Sequence, residues 1–559
     1  MLIRLLTLLV AVCCASAAEA RWREASTKHF VIYSEQSERD LRRFAQDLER
    51  FDRTLRVQLR RPDEEVAPAT RLTIYVLPNL EALQRLYGGP GVAGFYTPRQ
   101  GGSLAFTFSR RERAVTPEEE ARQMNPWHVL FHEYTHHFLN NNFAFGAPFW
   151  FSEGYPEFWS TVEFDDEGNV RYGIPAFHRN VELTEARPVH VRELLTLRQP
   201  IRSAETQAVA YGRGGLLTHY LQFAPERRGQ LDAYLAALAR GQTAEQALSV
   251  FGDLERLNGE LNRYLRSPRF NIAILPAAQV PPATVAIREV SAGEEAVMSV
   301  RIRSKRGVNR QQGLALLPEA RRAAAPYPND AIAQVTLAEA EYDVGNFAEA
   351  EAAADRAIAA NPRLVDAHLY RARAMWGRIQ ASGNATPAQW QEVQARIGAA
   401  NRADPDDPEP LALFYESFHA AGMRPTPNAV EGLLFAHQLA PESRELRLAA
   451  GRELLAAGRA PQARATLAPF SGDSHSGELG PLVAEVLDIL ERGEARAALT
   501  KLDEGLARLR EAENSGGQRG GNRPGGNRPP ANPPAGNPRG GNPPAGNPPA
   551  GGNPPPSGN

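Results

Sequence analysis

The sequence predicts an α+β domain, a mixed sheet plus helices, over residues 21–270. An all-α solenoid over 311–513 and a disordered tail over 514–559 follow it. Three observations carry this reading. Short β-prone runs alternate with amphipathic helical stretches before residue 110. From about residue 310 the chain becomes rich in Ala, Leu, Arg and Glu and resembles itself at intervals. Its end is a low-complexity stretch rich in Gly, Pro and Asn. The 559 residues are 42% hydrophobic and 23% charged, enough for ordinary packed cores in several domains. A formal net charge of −2 supplies no global field that points to nucleic acid or an acidic membrane.

The first twenty residues read as a secretory signal. Arg4 gives a basic start, Leu5 to Val12 is an apolar run too short to span a bilayer, and Ala15-Ser16-Ala17 is a cleavage-type string. A lipoprotein signal is the rival reading, but Val12 stands before Cys13 where a small residue is usual. Export to the periplasm or the extracellular space is expected, with no transmembrane anchor. Cys13 and Cys14 are the only cysteines, so any metal site in the mature chain must use His, Asp and Glu.

His29 to Tyr33 forms the first expected strand. Ser37 caps a helix running to about Leu59, with Leu41, Phe44, Leu48 and Phe51 on one stripe. Arg71 to Val76 is the next strand and Leu80 to Tyr87 a short helix. Phe95 to Thr97 and Ser103 to Phe108 form a hairpin. Residues 271–310 read as a linker holding a small strand pair, Thr284 to Arg288 and Met298 to Ile302. Beyond it, Leu337, Ala338, Tyr342, Gly345, Ala350, Ala357 and Pro362 make a unit that resembles the tetratricopeptide repeat, with weaker copies ending at Pro405 and Pro441. The resemblance implies paired helices stacking into a protein-binding solenoid. An irregular helical bundle is the alternative. The tail repeats Asn-Pro-Pro-Ala-Gly and carries Arg519, Arg523, Arg528 and Arg539 without any acid, a composition that cannot bury a core.

The chemistry concentrates in one helix. Asn125-Pro126 is a helix start, Asn as cap and Pro in the first turn. His132 and His136 then lie one turn plus about 40° apart and project from one face, so both ring nitrogens can reach a single Zn2+. Glu133 is placed to take a proton from a metal-bound water. Four of the 12 histidines fall between 128 and 137; His128, one turn before His132, is a cleft candidate, and His137 points away.

The string Phe149-Trp150-Phe151-Ser152-Glu153-Gly154 resembles that of the gluzincins, and specifically the Trp-Leu-x-Glu-Gly string of the aminopeptidase N family. The resemblance implies a zincin fold over about residues 22–270, one Zn2+, Glu153 as third ligand, and Glu157 as a carboxylate that orients a ligand histidine. Tyr211 lies in Val209-Ala210-Tyr211-Gly212-Arg213-Gly214-Gly215, which resembles that family's Tyr-Glu-Lys-Gly-Ala string; carried over, its hydroxyl stabilises the oxyanion. The competing readings make Glu153 and Glu157 a solvated helix face and Tyr211 a packed helix tyrosine. His219 is a further cleft candidate. Pro156, where relatives have a helix former, departs from the pattern and bears on the placement of Glu157. The amine-binding glutamate of aminopeptidases is missing from Gly101 to Phe106, so amine-anchored exopeptidase activity is not expected. That apolar strand could instead receive an extended peptide at its edge. The layout as a whole resembles an uncharacterised bacterial family of secreted gluzincin-like domains followed by tetratricopeptide repeats.

The expected function is therefore that of a secreted zinc metallopeptidase acting on peptides or proteins. The alternative is a repeat scaffold that captures a protein partner and carries an inactive or structural zincin domain. Hydrolysis of another amide or an ester is a third option.

Overall fold

The computed structural model describes residues 21–90, 92–109, 125–179, 183–184, 188–197, 204–472 and 476–516. The expected signal and the tail beyond residue 516 lie outside the described residues.

A six-stranded sheet organises the first half. Its strands are β1 (Arg23–Ser26), β2 (Phe30–Ser34), β3 (Leu72–Leu77), β4 (Phe95–Thr97), β5 (Leu104–Phe108) and β9 (Ala286–Glu289), in the order β4-β5-β3-β2-β1-β9. The central trio β5, β3 and β2 is parallel; β4, β1 and β9 pair antiparallel outside it. Alternation along each strand separates two cores. Phe30, Ile32, Ile74 and Ala105 face one way, against α1 (Glu38–Leu59) and α3 (Pro126–Asn142). Tyr33, Tyr75, Phe106 and Phe95 face the other, toward α2 (Leu80–Tyr87) and Met298 and Ile302. The last four rings stand opposite one another in register, with centroids 5.3, 5.5 and 4.6 Å apart. Such cross-strand aromatic pairs stabilise a sheet beyond their buried area.

Ser37 caps α1 by accepting from the Asp40 amide, and Leu41, Phe44, Leu48 and Phe51 are buried. The hairpin β4–β5 forms as expected, but β5 is not an open edge: β4 covers it, and β4 is the outer strand. After α3 come α4 (Phe149–Trp159), the short strands β6 (Glu163–Phe164) and β7 (Val170–Tyr172), α5 (Val191–Thr196), α6 (Ala204–Phe223), α7 (Gln230–Ala239), α8 (Ala244–Ala247) and α9 (Leu254–Leu265). Strand β8 (Ala273–Leu275) joins β6 and β7 in a second sheet.

Within residues 271–310 the strand expected at Thr284 to Arg288 forms, as β9, but it pairs with β1 and not with Met298 to Ile302. β8 completes the three-stranded sheet and β9 the six-stranded one, so both sheets draw a strand from beyond residue 270. Met298 to Ile302 lies inside α10 (Ala292–Arg306). Ser291 caps that helix, Glu294 and Glu295 occupy its first turn, and Arg303, Lys305 and Arg306 its last. Cap and macrodipole both favour the helix, and they override the β-branched run.

The rest is helical: α11 (Arg310–Ala324), α12 (Ala331–Asp343), α13 (Phe347–Ala360), α14 (Val365–Ala381), α15 (Pro387–Ala403), α16 (Pro408–Ala420), α17 (Pro427–Leu439), α18 (Arg444–Ala456), α19 (Ala460–Leu467), α20 (Leu479–Glu491) and α21 (Ala495–Gly516). Successive helices pack on one another, and small residues such as Ala338, Ala353, Ala357 and Ala367 let them approach closely. The final helix reaches Gly516, three residues into the stretch expected to be tail. No helix among the described residues is long and apolar enough to cross a membrane.

The array folds back onto the sheet and the site helix. Ser103 Oγ donates to Glu442 (3.0 Å), the Arg447 guanidinium to the carbonyl of Asn140 (2.9 Å), and Ser152 Oγ to that of Gly472 (3.2 Å).

Candidate metal centre

Helix α3 starts as its sequence dictates: Asn125 accepts from the Trp127 amide and Pro126 occupies the first turn. Tyr134, between the two motif histidines, anchors the helix from below. Its hydroxyl donates to Asp52 of α1 at 2.6 Å, and Asp52 also accepts from Arg56 at 2.6 Å. His132 and His136 therefore emerge on the opposite side of α3, toward α4 and α6.

Helix α4 is buried along its whole length. It can lie so deep because it crosses α6 through glycines. A Cβ on Gly214 would stand 2.6 Å from the Trp150 carbonyl oxygen and 3.0 Å from Gly154 Cα, so the two backbones touch. Pro156 sits inside α4 without ending it; the Ser160 amide still donates to the Pro156 carbonyl. The crossing delivers Glu153 from α4 and Tyr211 from α6 to the histidine face of α3.

Three donor atoms converge there. His132 Nε2 and His136 Nε2 are 3.1 Å apart, and Glu153 Oε2 lies 3.4 and 3.5 Å from them. A tetrahedral ion with bonds of about 2.0–2.1 Å spaces its ligand atoms about 3.3–3.4 Å apart. The triangle thus has the size a single ion requires, and these three residues form a group able to hold a metal ion. Glu153 is fully buried and His136 nearly so.

The surroundings favour a cation. Burial works against a charged His132, but hydrogen bonds to Glu153 and Glu157 more than offset it and push its pKa up to about 10. Glu157 Oε2 lies 3.4 Å from His132 Nδ1, which leaves Nε2 for the ion. Glu157 in turn meets Arg179 at 3.0 and 3.2 Å and bonds His178. Burial alone would raise this carboxyl; His132, His178 and Arg179 hold it well below the usual range. The Tyr211 ring lies parallel to His132 with centroids 6.0 Å apart, and the Arg179 guanidinium stands 5.1 Å from it. Burial, then the charge of Glu153 and a hydrogen bond to it, then the charge of Glu133, raise the phenol, so Tyr211 stays a hydrogen-bond donor. Glu133 is half-buried and close enough for its charge to act on Tyr211.

The other histidines separate. His128 is half-buried beside His178, ring centroids 5.6 Å apart. His137 is buried between Asn141 and the Tyr96 hydroxyl, each 2.9 Å away, and burial lowers its pKa to about 3. His219 is also buried; it bonds the Gly173 carbonyl and Tyr264, both at 2.8 Å, and does not join the donor triangle. Arg213 points to Asn258 and Asn262 of α9. Sequence reasoning did not find Arg179 and His178, the partners of Glu157, and no local pattern marks them.

A second group, His29, Asp52 and Asp63, also has metal-ligand spacing. Its carboxylates are already neutralised: Arg56 lies 2.6 Å from Asp52 and Lys28 2.6 Å from Asp63. It is an ion-pair network, whereas in the triangle on α3 the carboxylate of Glu153 meets His132 and His136.

No family model matches the chain, and no curated protein matches it. The likeness to gluzincins rests on the residues named above.

Proposed function

We propose that the chain is a zinc-dependent hydrolase of peptide bonds, of gluzincin type, whose helical array is a tetratricopeptide-type solenoid. The observation that carries this reading is the donor triangle of His132, His136 and Glu153, with edges of 3.1, 3.4 and 3.5 Å. Two imidazoles and one carboxylate are the donor set of catalytic rather than structural zinc. Zinc, when bound, supplies Lewis acidity toward water and the scissile carbonyl.

The chain's own groups have separate tasks. Glu157 holds the His132 ring through Nδ1. The Glu133 carboxylate takes the proton that the attacking water loses and returns it to the departing amide nitrogen. The Tyr211 hydroxyl donates to the carbonyl oxygen as negative charge grows there. Export through the amino-terminal signal would place this activity in the periplasm or outside the cell.

Metal analysis of the purified mature chain tests the proposal. About one zinc per chain is expected, lost in His136→Ala. Glu133→Gln should keep the metal and lose cleavage of a mixed peptide library by about 10²–10⁴-fold. A metal-free wild type, or a Glu133→Gln variant as active as wild type, would sink the reading.

A further inference from the structure

A pocket adjoins the metal centre, and part of its lining belongs to the helical array. His136, one corner of the donor triangle, is part of its lining. Leu139 continues the same face of α3 about 5 Å further along at 1.5 Å per residue, and Phe143, the extended residue that closes the helix, also lines the pocket. Phe145 and Phe151 form the second wall, and Pro469 closes the third. Pro469 is buried in the short turn Ala468–Ser471, some 300 residues away from the rest of the lining.

The turn is fixed in place. Ser152, beside the ligand Glu153, donates to the Gly472 carbonyl at 3.2 Å. A Cβ on Gly472 would collide with the carbonyl oxygen of Ala147, and one on Gly146 would meet Ser471 Oγ at 2.5 Å and the Ala468 carbonyl oxygen at 2.8 Å. Arg447 clamps the same seam through the Asn140 carbonyl at 2.9 Å. The two surfaces approach backbone to backbone, so the array is built against the site.

We propose that this cavity is the specificity pocket for a large apolar side chain, aromatic or leucine-like, next to the scissile bond, and that the array determines specificity by supplying Pro469 as its wall. The inference rests on the hydrolase reading and gives it a substrate class. The lining is aliphatic and aromatic, and its polar members, His136, Asn140 and Ser152, lie at the metal end and along the seam where Arg447 and Gly472 dock. Burying an apolar side chain there removes it from water within reach of the catalytic groups. Among the described residues no Lys, Arg, Asp or Glu lines the pocket, and a charged side chain set against that lining would be desolvated without compensation from it.

Two variants fill the pocket from opposite walls: Pro469→Trp from the array and Leu139→Trp from α3. Zinc content and the unfolding midpoint serve as controls for folding. On a peptide library the full-length wild type should prefer Phe and Leu over Ala, Asp and Lys at one position beside the cleaved bond. In both variants the ratio of kcat/KM for Phe over Ala should fall about tenfold or more. Ligand-observed NMR with N-acetyl-phenylalanine amide supplies a readout without turnover. The probe should bind wild type and be lost in both variants, and N-acetyl-alanine amide should not bind. If wild type cleaves nothing but the phenylalanine probe binds and both variants abolish it, the hydrolase reading falls and the pocket stands. A wild type that neither favours apolar residues nor binds the probe overturns the pocket. So do preference and probe binding that persist in folded, zinc-loaded variants.

Discussion

Glu157 is only 1% exposed, on a helix surrounded by Phe, Trp and Tyr. An unpaired carboxylate there would be neutralised by its own desolvation. His132, His178 and Arg179 keep it ionised, so its charge is available to orient His132. Removing it should loosen the metal without touching any metal–ligand bond. Glu157→Ala is expected to weaken zinc affinity about 10–100-fold, measured by competition with a chromogenic chelator, with Glu157→Gln intermediate. Equal affinities in all three proteins would refute the orienting role. At this scale the sequence was informative where chemistry imposes spacing. His132 and His136 follow from helix geometry, and Glu153 and Glu157 stand one turn apart in an apolar string. His178 and Arg179 lie 21 and 22 residues from Glu157, reach it through a loop, and obey no periodicity.

Between elements, the contact that builds the site is the glycine crossing of α4 and α6. It fixes how far Glu153 and Tyr211 stand from α3. A side chain on Gly214 would push against the Trp150 carbonyl, a backbone atom that cannot rotate away. Gly214→Val should therefore destabilise the fold by about 1–3 kcal/mol and lower zinc occupancy in the protein that still folds. Thermal unfolding with parallel metal analysis checks both; a variant with wild-type midpoint and full zinc would show that the crossing is not tight. Helices with strong caps were readable from the sequence, among them Glu38–Leu59 and Pro126–Asn142. The strands Arg23–Ser26, Glu163–Phe164, Val170–Tyr172 and Ala273–Leu275 were not, being at most four residues long and too short to display alternation. Met298 to Ile302 misled for a related reason: β-branched residues favour strands locally, while the Ser291 cap and the end charges decided for a helix.

Over the whole molecule, the return of the array onto the sheet joins residues hundreds of positions apart, such as Ser103 and Glu442, and nothing in either segment's pattern announces the other. The expected solenoid was readable as a run of helices; its closure against the first domain was not. That closure has a pH signature. Burial raises Glu442 to about 7 from an ordinary 4.5, opposed by its own backbone amide, the Ser103 hydroxyl and Arg447. Within the array burial likewise raises Asp407 to about 8, helped by Glu409, and Glu416 to about 7. An acid raised in the folded state binds its proton more tightly there than in the unfolded chain. Its contribution to stability is therefore full below the unfolded value, near 4, and is lost as pH climbs through 7 to 8. The unfolding midpoint should accordingly be higher at pH 5.5 than at pH 8.5, measured at fixed ionic strength and saturating zinc so that metal occupancy does not vary. Glu442→Gln keeps the shape and a hydrogen-bond acceptor for Ser103 but cannot ionise. It should raise the midpoint more at pH 8.5 than at pH 5.5, flattening the profile. If Glu442→Gln instead lowers stability equally at both values, the carboxylate is ionised and paired throughout, and the seam between array and sheet is insensitive to pH.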